Sequence, residues 1–397
     1  LSQFLRASAG VIAPELAADL NLGPEALGGL TGAFFFMFAL AQLPVGMALD
    51  RWGPRRVMLS LASVTVAGCL VFAMADSVTG LIAGRMLMGL GCASMLMGPY
   101  VIYAREFAAD RFGQLSSIQL GVGYVGALIA TTPLAFSAEV WGWRSVFFGA
   151  GGAAVLFAFL TAGVVQRGMG HAAEGRHHSL ADDLAGVVHV MKLRALWPII
   201  PVNMVAYGSV AAILTLWGGP YFSDVHGLPA VERGNVLLAM WVSAILGLLT
   251  FGVLERRVSS RRRLVVAGAL VNASALIALA IRPDFPLSVA AGILCLAGFA
   301  NGITIPIAAH IRRTLPHALM GRGLTFMNMG MMMGVALLQV ILGWIAERGS
   351  GGDSVLSSAV YSDLFAFLGI ALILSTVWFA WFDARLERDV SRLTPRD

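Results

Sequence analysis

An arginine at position 6 stands inside an apolar stretch, where a charged side chain is unusual. Its surroundings read Arg6-Ala-Ser-Ala-Gly-Val-Ile-Ala-Pro14. If this stretch is a membrane helix that ends near residue 18, Arg6 lies about 12 residues, or about 18 Å, from that end. An arginine at this depth in a bilayer is costly and marks a functional site by default. The alternative is a structural arginine that pairs with another helix or snorkels to water.

Uncharged polar side chains also fall inside apolar stretches. The candidates for a substrate cavity are Gln119, Tyr124, Asn203, Tyr207, Asn301 and Asn328. Asn203 and Tyr207 are four residues apart and would share a face of a helix. Each side chain alone could equally join two helices by a hydrogen bond, but together they predict a polar cavity.

Coupling to protons normally needs a titratable group in the transport path, and carboxylates in mid-span are missing. His310 and Glu106, near the ends of their apolar stretches, are the candidate proton carriers, because histidine titrates near neutral pH. Either could also be an ordinary polar residue at a helix end. The sequence leaves coupling open.

Methionine competes with the polar residues as a source of ligands. Five methionines occur in the stretch Met327-Asn-Met329-Gly-Met331-Met-Met333. Met329 and Met333 would share a helix face, and thioethers suit Cu(I). Methionine is equally a flexible packing residue for helices that slide. A copper site at Met329 and Met333 therefore stays an alternative, and we expect no other metal site and no cofactor.

The composition indicates a membrane protein with many spans. Of 397 residues, 58% are hydrophobic and only 12% are charged, whereas soluble domains carry about 25% charged residues. The net charge of +5 comes from basic residues dispersed over short loops, which excludes a nucleic-acid partner. Cys69, Cys92 and Cys295 show no paired spacing, so neither a disulfide nor a zinc site is expected.

Twelve apolar segments are long enough, or nearly so, to cross a bilayer as helices. They are 1–18, 26–49, 57–75, 78–104, 113–136, 143–166, 195–221, 232–254, 264–282, 286–311, 323–346 and 361–382. The first begins at Leu1 and is short, as if its beginning were cut off, and no cleavable signal sequence is evident. The predicted fold is an all-α membrane protein with two six-helix bundles, 1–166 and 195–383. A polar loop at 167–194 joins the bundles, and a tail at 384–397 ends the chain.

Arginines distinguish the two membrane faces. Most of the 27 basic residues fall in alternate connections that include the central loop and the tail. By the positive-inside rule, both termini and this loop are expected in the cytoplasm of a cell with an inner membrane. The loop also carries His171, His177, His178, Asp182 and Asp183, whose spacing matches no recognised metal motif and favours a solvated linker.

An internal repeat supports the division into two halves. Gly46 and Gly252 begin charged turns 206 positions apart, and Pro99 and Pro306 begin similar stretches at an offset of 207. Two matches at nearly one offset indicate a duplicated six-helix unit with a substrate path between its copies.

One charged turn carries a family resemblance. The turn Gly46-Met-Ala-Leu-Asp50-Arg51-Trp-Gly53-Pro54-Arg55-Arg56 resembles the loop signature of the major facilitator superfamily of secondary transporters. The resemblance implies two six-helix bundles that move by rocker-switch alternating access. It also implies a gating role for Asp50, Arg51, Arg55 and Arg56, which would tie cytoplasmic helix ends together in one state and release them in the other.

The first helix adds a resemblance to particular branches of that superfamily. Arg6, eight residues before Pro14, is similar to the substrate-contacting arginine of the organophosphate and anion:cation transporters. That implies a carboxylate or phosphate held by charge-assisted hydrogen bonds. No basic residue lies within 195–221 to form a second clamp, so a monoanion is favoured over a phosphate. Arg85 resembles a family arginine that is structural or linked to proton movement.

The fifth span lacks the Gly-Pro pair typical of drug antiporters, since Ala127 follows Gly126. Drug or metabolite export remains an alternative nonetheless. Neither His-Glu-x-x-His nor Gly-x-Ser-x-Gly occurs, so an intramembrane enzyme is not expected. We predict a monomeric secondary transporter for a small organic anion, with the lipid bilayer as its surroundings and a proton as a conceivable partner.

Overall fold

A computed structural model describes residues 1–165, 192–193, 196–258, 260–314, 320–351 and 355–393. The predicted loop at 167–194 and its histidines thus lie almost entirely outside the described residues, as does the end of the tail. Twelve helical elements follow one another through the described chain, three of them made of consecutive segments.

The first six elements belong to the first half of the sequence. They are α1 (Ser2–Leu20), α2 (Pro24–Trp52), α3 (Pro54–Ala73), α4 (Val78–Cys92 and Ser94–Glu106), α5 (Ala109–Ile129) and α6 (Thr132–Val164). Gly142 interrupts α6 with a φ of 76°, a backbone conformation that glycine adopts without strain. The predicted boundary between the spans 113–136 and 143–166 falls near this glycine.

The other six elements follow the central loop. They are α7 (Ile199–Ala212, a π-helical turn Ile213–Trp217, and Gly218–Asp224), α8 (Ala230–Arg257), α9 (Arg261–Ile281), α10 (Leu287–Ala300, a 3₁₀ turn Asn301–Ile303, and Thr304–Thr314), α11 (Met320–Ser350) and α12 (Ser358–Leu393). Among the described residues, every element except α1 is long and apolar enough to cross a membrane.

The interruptions in α4 and α10 bear out the sequence repeat. α4 breaks at Ala93, six residues before Pro99, and α10 tightens at Asn301–Ile303 just before Pro306. Proline lacks an N–H, so Pro99 leaves the Met95 carbonyl without its helical donor two residues after the first break, and Pro306 does the same to Gly302 within the second. The two halves share this defect at nearly the same offset.

The chain forms two compact units. Unit 1 comprises Leu1–Asp183, Ile213–Leu238 and Ala336–Leu356. Its buried core is rich in phenylalanine, with Phe34, Phe38, Phe72 and Phe147 all within 1% of complete burial. Parts of α7, α8 and α11 therefore pack with the helices of the first half.

Unit 2 comprises Leu184–Ala212, Ala239–Val335 and Ser357–Asp397. Its core draws Val202 from α7, Phe251 from α8, Val265 from α9, Ile303 from α10 and Leu372 from α12. Burying such side chains stabilises each by roughly 1.5–3 kcal/mol in water, but in lipid close packing contributes most of the association.

Candidate functional site

A cavity of about 320 Å³ opens within unit 1 between α1, α3, α4, α5 and α6. Arg6 and Gln119, two predicted substrate residues, both line it. Cys92 and Ser94 on α4 add further polarity, while Phe157 on α6 supplies an apolar wall. A largely apolar pocket with a few convergent polar groups is typical of small-molecule sites.

Gln119 has its place on this wall because of Pro99. The missing N–H of Pro99 leaves the carbonyl of Met95, four residues earlier, without its helical donor. Gln119 donates its side-chain amide to that carbonyl at 3.1 Å and to the Leu96 carbonyl at 3.3 Å. Its Oε1 is buried without a hydrogen-bond partner among the described residues. Gln119 therefore joins α5 to α4 and keeps one acceptor for a ligand.

The Arg6 side chain is half-buried, and its guanidinium carbon lies 4.1 Å from the centre of the Phe38 ring. Such stacking stabilises a cation but leaves its N–H groups free to bind a ligand. Nε has no hydrogen-bond partner, and no carboxylate lies within 4 Å of the guanidinium, among the residues that the structure describes. The arrangement can accept an anion.

Arg85 holds the backbone immediately before Arg6. It is completely buried on α4, and its Nη1 donates to the carbonyl of Leu5 at 2.7 Å. Its guanidinium carbon lies 5.6 Å from both the Phe34 and Phe72 ring centres. Nε and Nη2 find no partner within the described part of the chain. Arg85 thus fixes α1 next to Arg6 and adds a second positive charge to the interior of unit 1.

The other predicted substrate residues fall into two groups. Tyr124 lies half-buried on α5, one residue beyond Gly123 of the cavity wall. In unit 2, the Asn203 amide donates to the Met327 carbonyl at 3.1 Å and joins α7 to α11. Tyr207 is half-buried one turn further along α7.

Two more polar candidates lie in unit 2. Asn301 is half-buried in the 3₁₀ turn of α10, and its Oδ1 is buried without a partner among the described atoms. Asn328 is half-buried on α11. The Asn301 oxygen is the freer acceptor of this unit, whereas the Asn203 amide already serves a helix contact.

One methionine of α11, Met327, packs in the buried core of unit 2. Met329 and Met333 are half-buried one turn apart. Gly334 approaches the backbone of Met204 on α7 so closely that an added Cβ would lie 2.7 Å from its carbonyl oxygen. No cluster of histidine, cysteine, aspartate or glutamate that could hold a metal occurs among the described residues.

The charged turn between α2 and α3 makes contacts inside unit 1. Asp50 receives a hydrogen bond from Arg105 at 2.7 Å, and Arg55 donates to the Ala162 carbonyl on α6 at 2.8 Å. Arg51 and Arg56 are exposed. These bonds tie the ends of α2, α3, α4 and α6 to one another.

His310 has a partner that sequence reasoning missed. Its Nε2 lies 3.2 Å from Oδ1 of Asp383, a buried carboxylate in the last third of α12. Arg262 approaches the other oxygen of Asp383 at 4.0 Å. Asp383 is the last residue of the predicted bundle 195–383 and directly follows the predicted span 361–382, and the sequence analysis assigned it no role. Glu106, the other predicted proton carrier, is exposed.

A second charged pair that sequence reasoning missed lies where α1 meets α7 and α8 in unit 1. Arg233, only 4% exposed, forms an ion pair with Glu15 and donates to the Val11 carbonyl at 3.4 Å. Pro14 removes the normal helical donor to Gly10, and an added Cβ on Gly219 would lie 1.7 Å from the Gly10 carbonyl oxygen. No larger residue fits at this crossing.

The same end of unit 1 is closed around α2 and α11. Gly28 lies so near α11 that an added Cβ would be 2.5 Å from the Gln339 carbonyl oxygen and 2.9 Å from the Gly343 Cα. Buried Gln339 donates from Nε2 to the Thr215 hydroxyl on α7 at 3.1 Å. Small residues and one buried hydrogen bond therefore hold α1, α2, α7 and α11 together here.

The family model of the Major Facilitator Superfamily matches residues 1–311. The chain belongs to the major facilitator superfamily. Like its relatives in this family, it is a membrane transporter and not an enzyme. The predicted fold and the expectation of no enzymatic activity are thus confirmed.

Individual superfamily proteins show how far the likeness extends. The chain is 28% identical over 167 residues to the "Probable galactarate/D-glucarate transporter GudP" of Escherichia coli, an alignment that covers 41% of this chain and 37% of that protein. It is 26% identical to the "Methylenomycin A resistance protein" of Bacillus subtilis, with 90% of each chain covered.

A solved structure agrees in fold. A bacterial homologue of the human lysosomal transporter Spinster, in an inward-facing and unoccupied conformation, superposes with a TM-score of 0.75. The superposition covers 96% of this chain and 93% of that chain, at 14% identity.

Proposed function

We propose that this superfamily member carries a small organic anion across the inner membrane by rocker-switch alternating access, with Arg6 as the anchor. One observation carries the proposal: in the cavity of unit 1, the Arg6 guanidinium has a stacking partner and no described carboxylate. A bound carboxylate would supply the missing charge and accept two parallel hydrogen bonds. The likeness to a probable sugar-acid transporter supports the same class of solute.

The other polar residues complete this proposal. Gln119 offers its free Oε1 to a donor on the substrate, such as a hydroxyl group. Tyr124, Asn203, Tyr207, Asn301 and Asn328 stay candidates for further contacts during the transport cycle. A monoanion fits better than a phosphate, because the span 195–221 contains no second arginine.

The gates follow from the proposed orientation, in which both termini are cytoplasmic. The α1–α2 connection then faces outward, and the Glu15–Arg233 pair with the Gly10–Gly219 crossing is the closed outer gate. Asp50, Arg51, Arg55 and Arg56 belong to the cytoplasmic gate. Their described bonds link helices of the same half, as expected when this gate is released.

Proton coupling would use His310 with Asp383. The His310 Nε2 lies 3.2 Å from Oδ1 of Asp383, so a proton can pass between the imidazole and the carboxylate, and the Arg262 guanidinium lies 4.0 Å from the other oxygen. Glu106 is less suited because it is exposed.

Drug or metabolite export is the second candidate, favoured by the likeness to the methylenomycin A resistance protein over 90% of both chains. Copper import through Met329 and Met333 is the third. The three candidates differ in whether Arg6 is needed, because a positively charged guanidinium repels a cationic drug or Cu(I).

A thermal-shift screen tests the proposal. Purified protein is heated with monocarboxylates, dicarboxylates, organophosphates, cationic drugs or Cu(I), and a bound solute raises the apparent melting temperature by mass action. We expect a carboxylate to stabilise the protein and Arg6→Gln to remove that effect. Arg282→Gln is the matched control, since Arg282 forms an exposed pair with Asp284 outside the cavity. Stabilisation by Cu(I) or a drug that survives Arg6→Gln would assign Arg6 a structural role.

A further inference from the structure

A groove of about 530 Å³ lies on the surface of unit 2, where α9 begins and α12 passes. Arg262 and Arg263, in the first turn of α9, form its rim beside Ala380 of α12, and Val266 and Leu270, further along α9, form its floor. The groove therefore combines a cationic rim with an apolar floor.

The rim keeps a positive charge after its internal ion pairs are taken into account. Arg261 pairs with Glu255, and Arg262 donates to the Ala380 carbonyl at 2.6 Å and approaches Asp383. Arg263 is exposed, and no carboxylate lies within 4 Å of it among the described residues. It lies in the first turn of α9, where the Ser260 hydroxyl accepts from its N–H at 3.4 Å and the positive end of the helix dipole also favours an anion.

The floor continues down the exposed face of α9. Arg263, Ala267 and Leu270 recur at helical spacing on one face, and Leu270 is 44% exposed. On a membrane-spanning helix, an exposed apolar face of this kind meets lipid chains. The groove thus passes from a charge to a hydrocarbon surface within two turns.

Aromatic residues fix the depth of the rim in the membrane. Trp378 and Trp381 flank Ala380 on α12 and are 42% and 47% exposed. Phe382 packs against both rings, with centroid distances of 4.2 and 4.6 Å. Exposed tryptophans concentrate at the level of lipid headgroups, so Arg263 lies where a lipid phosphate would lie.

We propose that this groove binds an anionic phospholipid. Arg263 and the Ser260 hydroxyl hold the phosphate, and an acyl chain lies along Val266 and Leu270. Basic pockets between membrane helices bind such headgroups, and the apolar floor selects a lipid over a free phosphate. The bound lipid bridges α9 and α12, the helices that also carry Arg262 and Asp383.

The probe is dioleoyl phosphatidylglycerol, added to delipidated protein and counted as adducts by native mass spectrometry. Dioleoyl phosphatidylcholine tests the charge, and inorganic phosphate tests the need for the chains. We expect phosphatidylglycerol to be retained preferentially, and Arg263→Gln to weaken its binding about fivefold.

Two further variants keep the test decisive. Arg257→Gln removes an equal charge from an exposed residue at the end of α8 outside the groove, so it should leave specific retention nearly unchanged. Ala267→Trp fills the floor without changing charge and should displace the lipid. Equal retention of phosphatidylcholine, equal loss in Arg257→Gln, or release of phosphatidylglycerol by inorganic phosphate would each overturn the proposal.

Discussion

The corresponding ends of the two halves use one structural device and differ in their titratable groups. Arg55 at the start of α3 donates to the Ala162 carbonyl at 2.8 Å, and Arg262 at the start of α9 donates to the Ala380 carbonyl at 2.6 Å. The two arginines are 207 positions apart, the offset of the sequence repeat. Among the described residues at these two ends, the second half adds a buried carboxylate, Asp383, which also contacts His310.

The contact that both halves share holds helices together, whereas the groups that differ between the halves are the titratable and charged ones. The arginine-to-carbonyl bond ties the third helix of each half to the sixth, so it belongs to the duplicated unit. His310 occupies the place that Tyr103 holds in the first half, again 207 positions earlier. Unit 1 in turn holds Arg6 and Arg85 without a described carboxylate partner. Under the proposed function, anion binding belongs to the first half and proton handling to the second.

The sharpest way to break this comparison is to neutralise Asp383. In Asp383→Asn, His310 loses its carboxylate partner at 3.2 Å, so we expect gradient-driven accumulation in proteoliposomes to fall to the level of protein-free vesicles. Counterflow exchange, which needs no proton gradient, should persist. The control Asp284→Asn removes an exposed carboxylate from the pair with Arg282. Accumulation that survives in Asp383→Asn would remove the assigned role of the second half.

The paired arginines give the next largest effect. Arg55→Met should cost about 1 kcal/mol, as expected for one lost hydrogen bond. Arg262→Met should cost about 2 kcal/mol, because it also leaves the buried Asp383 carboxylate without its cation, although partial exposure of Arg262 moderates the loss. Melting midpoints in detergent measure both. Equal midpoints would mean that Asp383 draws little stability from Arg262.

The sequence predicted the helices well because each membrane span carries its own signal. Apolar length identifies a span, and the proline at 99 and its partner at 306 mark both interruptions. The motif at Asp50 and Arg55 also indicated the family correctly. These features are local in the chain, so no knowledge of packing is needed.

The site was harder to predict because contacts between helices are not local. Arg6 and Gln119 were named separately, and the structure brings them to one cavity. Arg233 lies at the start of the predicted span 232–254, where no role was predicted for it, but it is buried against Glu15. No role was predicted for Asp383 either, because it lies just beyond the predicted span 361–382. Hydrophobicity predicts the end of a span only to within about one helical turn. A charged residue within that turn can be either exposed or buried, and the sequence does not distinguish the two.

Removing the charge of Arg85 tests the comparison between the two halves in unit 1. Since no described carboxylate depends on this buried arginine, Arg85→Met should change the melting midpoint less than Arg262→Met does. It removes the bond that holds Leu5, so anion affinity should fall roughly tenfold, the equivalent of a hydrogen bond to a charged group. Isothermal titration with the stabilising anion measures this. A large loss of stability with unchanged affinity would make Arg85 a packing residue alone.

The smallest expected effect concerns the described histidine of unit 1. His226 follows α7 and contacts Tyr221 and Phe222, with no carboxylate in ion-pair distance within the described part of the chain, and burial lowers its pKa from the usual 6.5. The folded state therefore favours the neutral ring. Its contribution to stability is complete above pH 6.5 and is lost as the pH falls from there through the lower folded pKa.

The difference in melting midpoint between wild type and His226→Gln, followed from pH 8 to 5, isolates the contribution of His226 because the other histidines are present in both proteins. We expect wild type to lose relative stability toward low pH. A gain instead would mean that His226 finds a carboxylate in the folded protein, and the contrast with His310 would then fail.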